Sequence, residues 1–115
     1  MAEGGVPSVD VKEAAHRLGP DGAGAGALLV DVREQNEVNE VRVPGSRHVP
    51  LSAFQERFGE LPKDRPLLVM CAAGKRSLVA SEFLLRSGYE DVTNVDGGII
   101  AWRAAGLPTE SGAGR

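Results

Sequence analysis

Leu67-Leu68-Val69-Met70-Cys71-Ala72-Ala73-Gly74-Lys75-Arg76-Ser77 decides the fold and locates the chemistry. Four apolar residues after Pro66 make a run of strand length, and a run without polar alternation suits a parallel strand covered on both faces. A short glycine-containing segment follows, then Leu78, Ala80, Ser81, Phe83, Leu84 and Leu85 keep a helical spacing until Gly88 stops it. Strand, tight loop and helix in that order put Cys71 at the carboxyl end of a strand, facing backbone N–H groups and the positive end of a helix.

Working outward, the same alternation recurs. Leu28-Leu29-Val30-Asp31 reads as a buried strand that ends in a charge at the rim of the sheet. Val92-Thr93-Asn94-Val95 reads as a last strand, and Gly97-Gly98 leads from it into a helix from Ile99 to Ala105, stopped by Gly106 and Pro108. Val43 to Pro50 reads as a turn and a very short strand, because its prolines forbid helix and bound the pairing. Val9 to Glu13 opens a first helix reaching about Leu18, with Asp10 as cap and Glu13 completing a capping box. Ser52 with Gln55 is expected to cap a helix from Ala53 to about Phe58. Gly19 to Gly22 breaks the first helix and Ala23 to Ala27 reads as a flexible loop. The charged stretch Glu34 to Glu40 reads as a solvated surface segment, and Ser111 to Arg115 as a frayed tail. Strands alternating with helices predict an α/β fold, a mostly parallel sheet with helices on both faces and a site outside the carboxyl ends of the strands.

The bulk properties narrow the function. The chain has 115 residues, enough for one core without staples, and residues 5–110 are expected to form one domain between flexible termini 1–4 and 111–115. A formal net charge of −3 gives no reason to expect nucleic acid or an anionic membrane as partner. One cysteine excludes an internal disulfide and a cysteine-rich metal site, which fits a reducing compartment. The first residues hold no basic segment followed by an apolar run, so the expectation is a cytoplasmic chain with no membrane span.

Cys71 is therefore the candidate nucleophile. A free thiol has a pKa near roughly 8.5, and lowering it to about 6.5 takes on the order of 2.7 kcal/mol of differential stabilisation of the anion. A helix terminus supplies roughly 0.3 to 1 kcal/mol and at best about 2, so the loop must supply the rest. Inward N–H groups, the cations of Lys75 and Arg76 and the Ser77 hydroxyl are the available contributors, and they would also attract an anionic substrate. A nucleotide-binding loop is rejected, since Val69 stands five positions before Gly74 where glycine is required, and Arg76 stands where serine or threonine should.

The chain resembles the single-domain rhodaneses from about Val9 to Pro108. The resemblance is carried by Leu29-Val30-Asp31-Val32-Arg33-Glu34, Val43-Pro44-Gly45 with Val49-Pro50-Leu51, Cys71-x-x-Gly74-x-Arg76-Ser77, Gly88-Tyr89 and Gly97-Gly98-x-x-Ala101-Trp102-x-x-Ala105-Gly106-Leu107-Pro108. It implies a rhodanese-like, five-stranded parallel sheet and a double-displacement transfer of sulfur from thiosulfate, or another small anionic persulfide donor, to cyanide or a thiol. It makes Cys71 the persulfide carrier and Ala72, Ala73, Gly74, Lys75 and Arg76 the substrate-binding loop, with Ser77 next to it. No metal or organic cofactor is expected. With no second cysteine the acceptor must come from outside, a small thiol or a thioredoxin-like or other sulfur-accepting protein. Relatives usually carry histidine where this chain has Arg42, and often a polar or charged residue where it has Ala72 and Ala73.

Asp31 and Arg33 are supporting candidates near the rim, where an ion pair or a turn cap is as good a reading as substrate contact. His16 and His48 lack further ligands at metal spacing and read as surface or packing residues, and Trp102 with Ile99 as core. Two alternatives remain on the sequence. A regulatory or sulfur-delivery binding module would keep the fold with little small-molecule activity. Phosphatases and arsenate reductases of this fold use a loop one residue longer than the six positions from Cys71 to Arg76.

Overall fold

The structure, a computed structural model, describes residues 5–18 and 26–111. The expected break at Gly19 to Gly22, most of the glycine-rich loop and the tail beyond Ser111 lie outside these residues. The elements are β1 (Ser8–Val9), α1 (Val11–Leu18), β2 (Leu28–Asp31), α2 (Gln35–Glu40), β3 (Arg47–His48), α3 (Phe54–Arg57), β4 (Leu67–Met70), α4 (Lys75–Arg86), β5 (Val92–Val95) and α5 (Gly98–Ala104). All five strands pair in parallel, in the order β1-β5-β4-β2-β3.

Strand β4 lies at the centre because it is apolar in both directions. Leu67 and Val69 pack with Val30, Phe54, Ala80, Leu84, Tyr89 and Val92 on the side of α3 and α4. Leu68 and Met70 pack with Val11, Ala14, Leu29, Val95, Ile99 and Trp102 on the side of α1 and α5. Successive side chains point to opposite faces, so four consecutive apolar residues feed two cores. No helix among the described residues is long and apolar enough to cross a membrane.

Several local expectations need correction. Val9 belongs to β1, and α1 begins at Val11; Asp10 does cap it, accepting from the Glu13 N–H at 2.9 Å, while the Glu13 carboxylate turns to Arg17. The stretch 34–40 is not a bare solvated segment. It folds as α2 because the Glu34 and Glu37 side chains each take up an end N–H of the helix, and Val38 is buried beneath it. Ser52 does not cap α3. Its hydroxyl donates to Glu34 Oε1 at 2.6 Å, and after Pro50 the chain runs as a 3-10 turn over Leu51–Ala53, a single turn of α3 and a second 3-10 turn over Phe58–Glu60. Arg42 ties the far end of the chain down: it exchanges two backbone hydrogen bonds with Glu110 and pairs with its carboxylate at 2.9 Å.

Candidate active site

Cys71 follows directly on β4 and is buried. The turn is possible because Gly74 adopts φ +102, a left-handed conformation that costs glycine nothing, and α4 starts at once with Lys75. The segment expected as a loop from Ala72 to Arg76, with Ser77 next to it, is thus half helix. Ala72, Ala73 and Gly74 form the bend, and Lys75, Arg76 and Ser77 are the first turn of α4, whose N–H groups have no partner within the helix.

The bend is held from behind. The Cys71 carbonyl accepts from Ile99 N–H at 2.9 Å and the Ala72 carbonyl from Ile100 N–H at 3.1 Å, so the first turn of α5 grips both oxygens. In a trans peptide the N–H points opposite to the C=O, and turning these carbonyls toward α5 turns the N–H groups of Ala72 and Ala73 the other way, into the ring. Gly98 makes the grip possible, since a Cβ there would overlap the Cys71 and Ala72 carbonyl oxygens.

Gly74 N–H donates to Cys71 Sγ at 3.1 Å, and Ser77 Oγ lies 3.4 Å from it. Burial pushes the Cys71 thiol up, but the hydrogen bonds that its thiolate can accept from the Ser77 hydroxyl and from the N–H groups of Ser77, Gly74 and Ala73 outweigh it, and its pKa falls below that of an ordinary thiol. The loop groups act in the direction the sequence requires of them.

The two cations differ. Lys75 is exposed and, among the described residues, has no ion pair. Arg76 is already answered: its guanidinium donates to both Glu37 oxygens, at 2.7 and 2.9 Å, and holds the Glu37 carboxyl down at about 2. Arg76 still contributes positive potential at Cys71. Asp31 and Arg33 come together as a buried ion pair 2.7 Å apart, with Arg33 N–H also donating to Asp31 and the guanidinium spanning to the Val41 carbonyl. Both side chains are spent on each other and on α2, which is the ion-pair and turn-cap reading of these residues. His16 is exposed, and His48 Nε2 meets the Arg33 carbonyl at 2.6 Å. No cluster of three metal-ligating side chains occurs among the described residues.

Sequence reasoning missed three residues. Glu37 reaches Arg76 from 39 positions away and left no local signal. Gly98 had one, a glycine pair between a strand and a helix. Asn94 had one too, as an amide inside the buried strand beside β4: it accepts from Ser77 Oγ at 2.5 Å.

Comparison with known proteins agrees with this geometry. Residues 10–105 match the family model for the rhodanese-like domain. A protein named sulfurtransferase from Allochromatium vinosum is 41% identical over 81 residues, covering 70% of this chain and 76% of that protein. A thiosulfate sulfurtransferase GlpE from Pseudomonas savastanoi is 36% identical over 92 residues, covering 76% and 87%. The crystal structure of a rhodanese-related protein from Thermoplasma volcanium superimposes with a TM-score of 0.81 at 29% identity, covering 90% of this chain and 97% of that one. On the strength of its sheet order, its cysteine loop and these relatives, the chain belongs to the rhodanese-like domain family.

Proposed function

We propose that the chain is a sulfurtransferase that carries sulfur on Cys71, with thiosulfate or another small anionic persulfide donor as substrate. One observation supports this reading: the Cys71 sulfur lies against the Gly74 N–H at 3.1 Å and beside the Ser77 hydroxyl, contacts that favour its thiolate. The sulfurtransferase names of its relatives support the same reading.

In the first half-reaction the Cys71 thiolate attacks the outer sulfur of thiosulfate. A Cys71 sulfur–sulfur bond forms, the sulfur–sulfur bond of thiosulfate breaks, and sulfite leaves with the electron pair. In the second, a cyanide ion or a thiolate attacks the outer sulfur of the persulfide, and Cys71 departs as the thiolate it began as. The ring amides and Lys75 stabilise the sulfite leaving group, since Arg76 is engaged by Glu37. With one cysteine in the chain the acceptor is a separate molecule, a small thiol or a sulfur-accepting protein of thioredoxin type, and a reducing compartment such as the cytoplasm suits a carrier that must stay a thiolate between turnovers.

Intact mass after incubation with thiosulfate tests this, with released sulfite assayed in parallel and Cys71→Ser as control. The expected result is the gain of one sulfur atom that requires Cys71 and is removed by cyanide. No gain from thiosulfate or from any low-molecular-weight persulfide would overturn the small-molecule transferase and leave a binding module.

A further inference from the structure

The hydroxyl beside Cys71 has its proton already committed. Ser77 Oγ lies between Cys71 Sγ and Asn94 Oδ1, at 3.4 and 2.5 Å. The Asn94 amide is oriented from its other end, where Nδ2 donates to Asp96 Oδ1 and Ser8 Oγ, each at 3.3 Å. A carboxylate accepts only from the nitrogen end, so the oxygen end must face Ser77. An amide oxygen cannot donate, and the short contact to Ser77 is therefore made with the single proton that serine owns. While that proton points at Asn94, Ser77 offers the sulfur lone pairs only. Lone pairs suit an S–H donor and oppose a thiolate.

We propose that Asn94 is a positioning residue for the nucleophile, taking up the Ser77 hydroxyl proton while Cys71 is a thiol and surrendering it to the sulfur when Cys71 ionises. The inference rests on the reading of Cys71 as the nucleophile. The chemistry is a proton loss and a rotation: the thiol proton passes to a base in solvent, and the Ser77 O–H turns from Asn94 to the sulfur without leaving its oxygen. Asn94 Oδ1, fully buried, then lacks the donor it had. That loss opposes ionisation, so Asn94 restrains the same sulfur that Ser77 and the ring amides activate. The other charged groups facing this chain of contacts are Arg76, tied to Glu37, and Asp96 behind Asn94.

Opposite signs at neighbouring residues make the test. Cys71 is alkylated with iodoacetamide across pH in the wild type, Asn94→Ala, Ser77→Ala and the double variant. Asn94→Ala is expected to lower the midpoint by roughly half to one pH unit, making alkylation about three- to tenfold faster well below it, because Ser77 becomes free to face the sulfur. Ser77→Ala is expected to raise the midpoint, and in its background Asn94→Ala should have no further effect. A raised or unchanged midpoint in Asn94→Ala, or the same downward shift in the double variant, overturns the proposal. Should Asn94→Ala fail to fold, the side-chain carbonyl 13C signal of Asn94 in the wild type decides. It should titrate with the Cys71 midpoint and stay flat in Cys71→Ser; a wild-type signal flat through Cys71 ionisation sinks the idea. Neither readout uses a sulfur donor, so failure of thiosulfate to load Cys71 and failure of this proposal are seen separately.

Discussion

Glu37 on α2 and Arg76 on α4 meet fork to fork, two parallel bonds of 2.7 and 2.9 Å joining residues 39 positions apart. The arginine that completes the cysteine ring is thereby anchored by an element that carries no reacting group. The short α2, marginal as an isolated helix, is in turn fastened to the site it supports.

Glu37→Gln should weaken the fold in a pH-dependent way. A carboxyl whose pKa is lower folded than unfolded stabilises the fold above its unfolded value, and loses that contribution as acid protonates it. For Glu37 the window runs from the ordinary 4.5 down to about 2. At neutral pH the substitution should cost about 1 kcal/mol, since both side chains are about one-third exposed and solvent screens the pair. Urea unfolding at several pH values checks this: the gap between wild type and variant should be full above pH 4.5 and close toward pH 2.

Gly98→Ala should damage the site through its scaffold. The added Cβ overlaps two backbone carbonyl oxygens at a left-handed φ of +56, so the bend or α5 must move. A loss of about 2–4 kcal/mol in unfolding free energy is expected, together with Cys71 alkylation that moves back toward the pH behaviour of a free thiol.

Asp31→Ala leaves the Arg33 guanidinium buried without its carboxylate, and such losses cost roughly 3–5 kcal/mol. Denaturant unfolding should show this loss. If the pair is purely structural, the KM for thiosulfate of the folded fraction should stay within about twofold of wild type; a large rise in KM with little loss of stability would restore the substrate-contact reading of Asp31.

Sulfur loading should follow the Cys71 thiolate. Its rate is expected to rise with pH about a midpoint lower than that of a free thiol. Lys75→Ala should raise the KM for thiosulfate several-fold with a smaller effect on alkylation by neutral iodoacetamide, because Lys75 offers its charge to an anion and makes no ion pair among the described residues. Steady-state kinetics beside alkylation rates separate the two effects.

What the chain revealed in sequence follows from how local each signal is. Strand β4 and the turn after it were legible because four apolar residues, a cysteine, a glycine and a helical period sit side by side. Strand β1 was not, because two residues become a strand only through pairing with Asn94 and Val95, far along the chain. Helix α2 was hidden for another reason: glutamate is an unusual N-cap, and one buried residue, Val38, does not make a period. At the candidate site, the place of Cys71 between a strand and a glycine bend was legible in advance, but Glu37 and Asn94, which contact Arg76 and Ser77, arrive from other elements. Long-range partners of this kind carry no spacing rule.

The grip of α5 on the Cys71 and Ala72 carbonyls separates two jobs that a loop usually performs together. The ring takes only main-chain atoms from Ala72 and Ala73, and its shape is imposed from outside them. Their side chains, half-buried and exposed at the mouth, are left as interchangeable fittings on a fixed socket. A change of size at these two positions leaves in place the main-chain hydrogen bonds that shape the ring, whereas a charge there would also act on the thiolate of Cys71.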